Sequence, residues 1–230
     1  MSLFKQQVIA CPACGKPVDF NVAYSVNADR RPDLRDAVFD GSFQRQTCGA
    51  CQENFSLAPE LNYLDTGRGQ WLAIHPADAI DAWKAIEAQD LAVFNRSYGD
   101  RAVGVARELG AGLKARVVFG LAAFREKLLA AEEGLDDVDL ELLKMAIVRK
   151  SPELPMGPGV ELRFVEVTVD QSLVFAWLDA DNEQVIEMLQ ISRQSYREIA
   201  DDRSDWQPLR DQLSAGLFVD MRRLLTGGAA

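Results

Sequence analysis

Two Cys-x-x-Cys pairs constrain this chain more than anything else in it: "CPACG" at 11–15 and "CGAC" at 48–51 hold all four of its cysteines. Two intervening residues let one tight turn aim both sulfurs at a common point, and two such knuckles facing each other form a tetrahedral sulfur cage of the kind zinc fills. Any fold of the chain must then bring residues 11–14 and 48–51 together, although residues 15–47 separate them. That separation exceeds the spacing of compact zinc modules, and an inserted helix accounts for it. "VNADRRPDLRDAVFDGSF" reads as one, with Pro32 in the first turn, Leu34, Ala37 and Val38 as an apolar face, and Gly41 as terminator. Pro12 pre-sets the first turn, and Gly15 and Gly49 are expected to let the backbone tilt its N–H groups towards the thiolates.

A structural zinc site with ligands Cys11, Cys14, Cys48 and Cys51 is favoured over two other readings. A redox couple usually needs one such pair at a helix N-terminus after a strand, and neither pair is followed by a helix-like sequence. Disulfides suit an oxidising compartment. The start of the chain, "MSLFKQQVIACPACG", has no apolar run long enough for a signal peptide, and nowhere do about 18 apolar residues run together. The expectation is a cytoplasmic protein with reduced thiols. Thirty-five acids against 25 basic residues give a formal charge of -10, which repels a phosphate backbone and argues against nucleic acid as partner.

The rest of the chain predicts an α+β protein. Residues 8–64 read as a short-stranded, zinc-ribbon-like unit with its helical insert, and residues 76–150 as a helical region. In the latter, Ile80, Trp83, Ile86 and Phe94 are the inward residues of a first stretch, "LKARVVFG" (113–120) is a strand, and helices follow at 121–133 and from an N-cap at Asp136. In that last helix Asp137, Asp139 and Glu141 match the positive end of the dipole, and Lys144, Arg149 and Lys150 the negative end. "SPELPMGPG" (151–159) breaks the chain as a linker. Three strands follow, "VELRFVEVTV", "SLVFAWL" and "EQVIEMLQI", and helices around 193–202 and 206–225 complete a C-terminal meander over 160–230. Leu162, Phe164, Val165, Val167, Val174, Phe175, Trp177, Ile186 and Leu189 are its expected strand core, with Leu213, Leu217 and Leu224 on the last helix.

"CPACG", "YSVNADRRPDLRDAVFDGSF", "CGAC", "NYLD" and "GLAAFREKLLAAEEGLDDVDLELLK" together resemble the CpXC-domain family over roughly residues 8–150. The resemblance implies that Cys11, Cys14, Cys48 and Cys51 are metal ligands, and it implies no reaction. The second knuckle departs from the family pattern by reading Cys-Gly where Cys-Pro is usual.

Other motifs fail on context. "GAGLKA" (110–115) has the spacing of a dinucleotide loop but follows a helix and precedes a strand, the reverse of that fold's order. "DADNE" (179–183) lacks the Gly and Glu a calcium loop needs, and reads as a turn. His75, the sole histidine, reads as a capping or surface residue. Trp71, Trp83, Trp177 and Trp206 are scattered like core anchors. The expected function is that of a non-catalytic scaffold or adaptor binding another protein. A redox-responsive zinc-thiolate switch and a nucleic-acid-binding ribbon are the alternatives.

Overall fold

The computed structural model describes residues 2–58, 60–151, 157, 159–202 and 204–226, and the chain divides into two compact units, Met1–Leu121 and Ala122–Ala230. In the first, β1 (Leu3–Ala10) and β2 (Pro17–Asn27) form an antiparallel hairpin whose tip is the first cysteine pair. Helix α1 (Pro32–Asp40) follows, with Pro32 in its first turn and Gly41 ending it in the left-handed region at φ 75°. Then come the short antiparallel pair β3 (Arg45–Thr47) and β4 (Asn54–Ser56), turning at the second cysteine pair. β5 (Leu61–Asp65) returns to lie parallel to β2, pairs antiparallel with β6 (Gln70–His75), and β6 is parallel to β7 (Lys114–Phe119). The five-stranded sheet runs β1-β2-β5-β6-β7.

Two parallel neighbours in this sheet explain the long spacings of the sequence. A parallel connection needs a crossover, usually helical. The first crossover, from β2 to β5, carries α1 and the β3–β4 hairpin, and so accounts for most of the distance between the cysteine pairs. The second, from β6 to β7, carries a 3₁₀ turn (Ala77–Ala82), α2 (Trp83–Ser97) and α3 (Val105–Gly110). Trp83 is buried, while Ile80, Ile86 and Phe94 are half-buried. Gly110 is required where it stands, because a Cβ there would meet the Tyr98 carbonyl oxygen. Strands β1 and β2, with 8 and 11 residues, are longer than the short strands expected.

The second unit holds α4 (Leu121–Glu132, its first residue lying in the first unit), α5 (Asp137–Lys150), β8 (Val160–Val167), β9 (Leu173–Asp179), β10 (Val185–Ile191) and the helices α6 (Arg193–Asp201), α7 (Gln207–Leu213) and α8 (Arg222–Thr226). The strands make an antiparallel sheet in the order β10-β9-β8. Asp136 caps α5, accepting from the N–H groups of Val138 at 2.9 Å and Asp139 at 3.4 Å. Leu140, Leu143 and Ile147 of α5 pack with Leu162, Phe164, Phe175 and Trp177 of the sheet. That shared core is why the units divide at residue 121 and not after residue 150. The expected helical region 76–150 is thereby parted: its first half bridges β6 and β7, and its second half belongs with the C-terminal strands. The linker expected at 151–159 lies largely outside the described residues.

Two details of the second unit depart from strict alternation. The register of β8 against β9 slips between Phe164 and Glu166, and that of β10 against β9 between Val185 and Glu187. Val165 and Ile186 are the bulged residues, and both are exposed although they were expected in the strand core. The helix expected over 206–225 is also interrupted, since Phe218, Val219 and Asp220 are buried in non-helical backbone between α7 and α8. Trp71, Trp83 and Trp177 are buried and Trp206 half-buried against the core, as anchors. No helix among the described residues is long and apolar enough to cross a membrane.

Candidate metal centre

Each cysteine pair occupies the turn of a β-hairpin, and the two turns have the same backbone wiring. Cys11 N–H donates to Lys16 O at 2.8 Å, and Cys48 N–H to Glu53 O at 2.8 Å. Gly15 N–H donates to Cys11 O and Gln52 N–H to Cys48 O, both at 2.9 Å. The residue four after the first cysteine is left-handed in each knuckle, Gly15 at φ 68° and Gln52 at φ 63°. Gly49 stands at the position equivalent to Pro12, and the second left-handed residue is Gln52, which carries a side chain in a conformation that favours glycine.

The turns face each other. Cys11 Sγ lies 3.7 Å from Cys51 Sγ, Cys14 Sγ lies 3.7 Å from Cys48 Sγ, and no two of the four sulfurs are more than 4.8 Å apart. A zinc–sulfur bond of 2.3 Å in a regular tetrahedron puts the sulfurs about 3.8 Å apart, so the cross-knuckle pairs stand at the spacing a tetrahedral ion needs. Cys11 and Cys48 are buried with Val18, against which Phe55 of β4 packs, while Cys14 and Cys51 are exposed.

The protonation chemistry of the cluster also fits a cation. Backbone N–H groups of Cys51 and Ala50 draw Cys48 down to about 6. Cys51 moves to about 12: the Glu53 N–H favours its thiolate, but the neighbouring sulfur of Cys14, desolvation and the sulfurs of Cys48 and Cys11 outweigh it. Cys14 is raised as well, the Lys16 N–H notwithstanding, by desolvation and the sulfurs of Cys48 and Cys11. Four sulfurs this close cannot all ionise alone. A divalent ion among them makes every thiolate favourable, and its binding would release protons.

The other residues singled out in the sequence are placed elsewhere. His75 Nε2 lies 2.7 Å from Asp90 Oδ2 of α2, a half-buried pair that ties the helix to the end of β6. "GAGLKA" spans the end of α3 and the start of β7, in the order expected. "DADNE" is the β9–β10 turn, where Asp179 Oδ1 accepts from Asp181 and Asn182 N–H.

One constellation was not foreseen. Glu126, Asp137, Glu141, Glu161 and Asp220 interlock with Lys127, Lys144, Arg163 and Arg222 in the second unit. Lys144 is fully buried, reaching Glu126 at 2.9 Å and Glu141 at 2.8 Å. The carboxylates also stand in for secondary-structure partners: Glu126 accepts from Phe164 N–H at 2.7 Å, and Glu141 from Met221 N–H at 2.8 Å. These bonds, with Lys127 Nζ donating to Val219 O at 2.7 Å, hold 218–221 out of helix. A signal was present in the sequence: Glu126 and Lys127 fall between Phe124 and Leu128, inside the apolar stretch of α4.

Fold and cluster together define an α+β protein of two units, one of them carrying a four-cysteine site suited to a metal ion. The chain belongs to the CpXC family, whose model, described as CpXC protein, matches residues 9–144. No curated protein and no solved structure matches it. The matched stretch crosses the division at residue 121 and ends within α5, so the family's sequence signature includes helices that pack on strands beyond it.

Proposed function

We propose that Cys11, Cys14, Cys48 and Cys51 hold one structural zinc ion in a zinc-ribbon-like pair of knuckles, and that the protein works in the cytoplasm by binding another protein. The observation that carries the metal reading is the 3.7 Å spacing of both cross-knuckle sulfur pairs. Four sulfurs close a tetrahedral shell and leave no position for a reacting water, so zinc here would brace the fold. The partner reading draws on the exposed apolar side chains of the edge strand β10, Val185, Ile186 and Met188, set in an acidic chain. Protein prepared in reductant without chelator is expected to contain one zinc per chain by elemental analysis. Metal-free protein from that preparation would end the reading.

The unequal knuckles give a finer test. Gln52 bears a left-handed strain of about 1 kcal/mol, offset only by its Nε2 donating to Gly49 O at 3.3 Å. Gln52→Gly is expected to tighten zinc up to about fivefold in competition with a chromophoric chelator, and Gly15→Ala to weaken it by a similar factor. Equal affinities across the three proteins would show that the knuckle backbone does not limit binding.

A further inference from the structure

We propose that a cleft between the β1–β2 hairpin and α1 binds a small planar aromatic carboxylate. The cleft measures about 200 Å³ and continues along β3. Phe4 of β1, Phe20 of β2 and Phe43 line it with Leu34 and Ala37 of α1. Leu34 and Ala37 stay half-exposed, although the sequence marks them as the apolar face of that helix. A cavity of about 150 Å³ admits benzene, so this one has room for a single ring with a carboxylate attached. Flat phenyl walls favour a flat apolar guest.

The polar side of the cleft selects the guest's charge. Arg45, exposed on β3, is the one cation among the lining residues, and none of them is an acid, in a chain carrying 35 acidic side chains. Gln46 and Asn21 add amide groups. Gln44 is the most telling. It is buried, it holds φ 55°, and its Oε1 accepts from Ala23 N–H at 3.1 Å. That bond fixes the orientation of the amide and leaves Nε2 buried without a partner. A strained backbone and an unmet buried donor both cost stability, and such costs collect at binding sites. A carboxylate at the cleft meets Arg45 and, with a small shift of the wall, Gln44 Nε2. No cysteine lines the cleft, but Phe20, Asn21, Arg45 and Gln46 lie in the segments the ion is expected to hold in place, so the test uses metal-loaded protein.

The test titrates the isotopically labelled full-length protein with benzoate and phenylacetate, with benzyl alcohol as the uncharged comparator, following backbone and side-chain amide resonances. Saturable shifts are expected at the Gln44 and Gln46 side-chain amides and along 34–37, with benzoate or phenylacetate about tenfold tighter than the alcohol. Arg45→Gln should remove about that tenfold preference while leaving weak ring binding. Ala37→Trp, which fills the cleft from α1, should abolish the shifts at an unchanged melting temperature and metal content. No saturable shift up to about 10 mM ligand, shifts mapping outside the cleft, alcohol binding as tight as the acids, or undiminished binding by a folded Ala37→Trp protein would each overturn the proposal.

Discussion

Serine at Cys48 is expected to cost the protein its metal and most of its soluble yield. A structural zinc ion contributes on the order of 10 kcal/mol to the fold that holds it, and the Cys48 thiolate is supported by two backbone N–H groups, those of Cys51 and Ala50. The damage should be local. The half of β2 next to the cysteine turn pairs with β1 alone among the described strands; β2 meets β5 just at Ser25–Asn27, the end remote from the knuckle. The β3–β4 hairpin pairs with no other strand in the described residues. Without the ion, hydrogen exchange should therefore lose protection over 10–24 and 45–56, while β5, β6 and β7 and the second unit keep theirs. Strong chelation of the wild-type protein should reproduce the pattern. Full zinc occupancy in the Cys48→Ser protein would mean the ligands are wrongly assigned, and simultaneous loss of protection in both units would show one cooperative block.

The second large effect is expected from Lys144→Met. Removing this fully buried cation takes away the charge that Glu126 and Glu141 share, and leaves their mutual repulsion to Arg163 and Lys127. Breaking a buried ion pair costs about 3–5 kcal/mol because the remaining charge has no water and no partner. Against a total of about 5–15 kcal/mol for a domain, that loss should move the denaturant midpoint of the second unit far down, read by tryptophan fluorescence. Lys150→Met, six residues further along the same helix and exposed, should stay within about 0.5 kcal/mol. Indistinguishable midpoints for the two variants would show that the interlocked charges are solvated.

The same network sets the acid limit of that unit. Burial pushes the Asp220 and Glu126 carboxyls up, but Arg222 and Arg163 around the first, and Lys144 and Arg163 around the second, outweigh it and hold both below their ordinary values. A carboxyl depressed on folding stabilises above its unfolded value, near 4, and loses that contribution as pH falls through the folded value. Glu141 runs the other way, raised by burial with Asp220 and Glu126 adding to it, despite Lys144 and Lys127. The second unit should thus weaken below about pH 4, and Lys144→Met should weaken most at neutral pH, where the two glutamates are charged and have lost the cation they share, leaving Glu126 to Arg163 and Glu141 to the more distant Lys127.

Much of the local structure was legible in the sequence because its causes are local. Pro32 and Gly41 bound α1, Asp136 caps α5, and β-branched and aromatic runs mark β7, β8 and β9, since each rests on residues within a few positions of one another. The cysteine knuckles are of this kind too: two residues between thiols make a turn wherever they occur. The chain itself, then, determined the four ligand candidates, the places of α1, α4, α5 and β7 to β9, and its α+β class.

Tertiary structure alone decided which of these elements meet. Lys144 and Lys150 look alike as basic residues near a helix end, yet one is sealed among carboxylates from α4 and α5 and the other faces solvent. Val165 and Ile186 are as apolar as the buried residues of their sheet and yet exposed, because each is the unpaired residue of a bulge, which only the strand pairing reveals. Gln52 is left-handed because the backbone wiring of the second knuckle copies the first, where Gly15 holds the same place, whatever residue stands there. Helices α2 and α3 belong with the first sheet and α4 and α5 with the second for a physical reason that no window of sequence contains. β6 and β7 are parallel neighbours needing a helical crossover, whereas α5 buries Leu140, Leu143 and Ile147 against strands that the chain forms only after it.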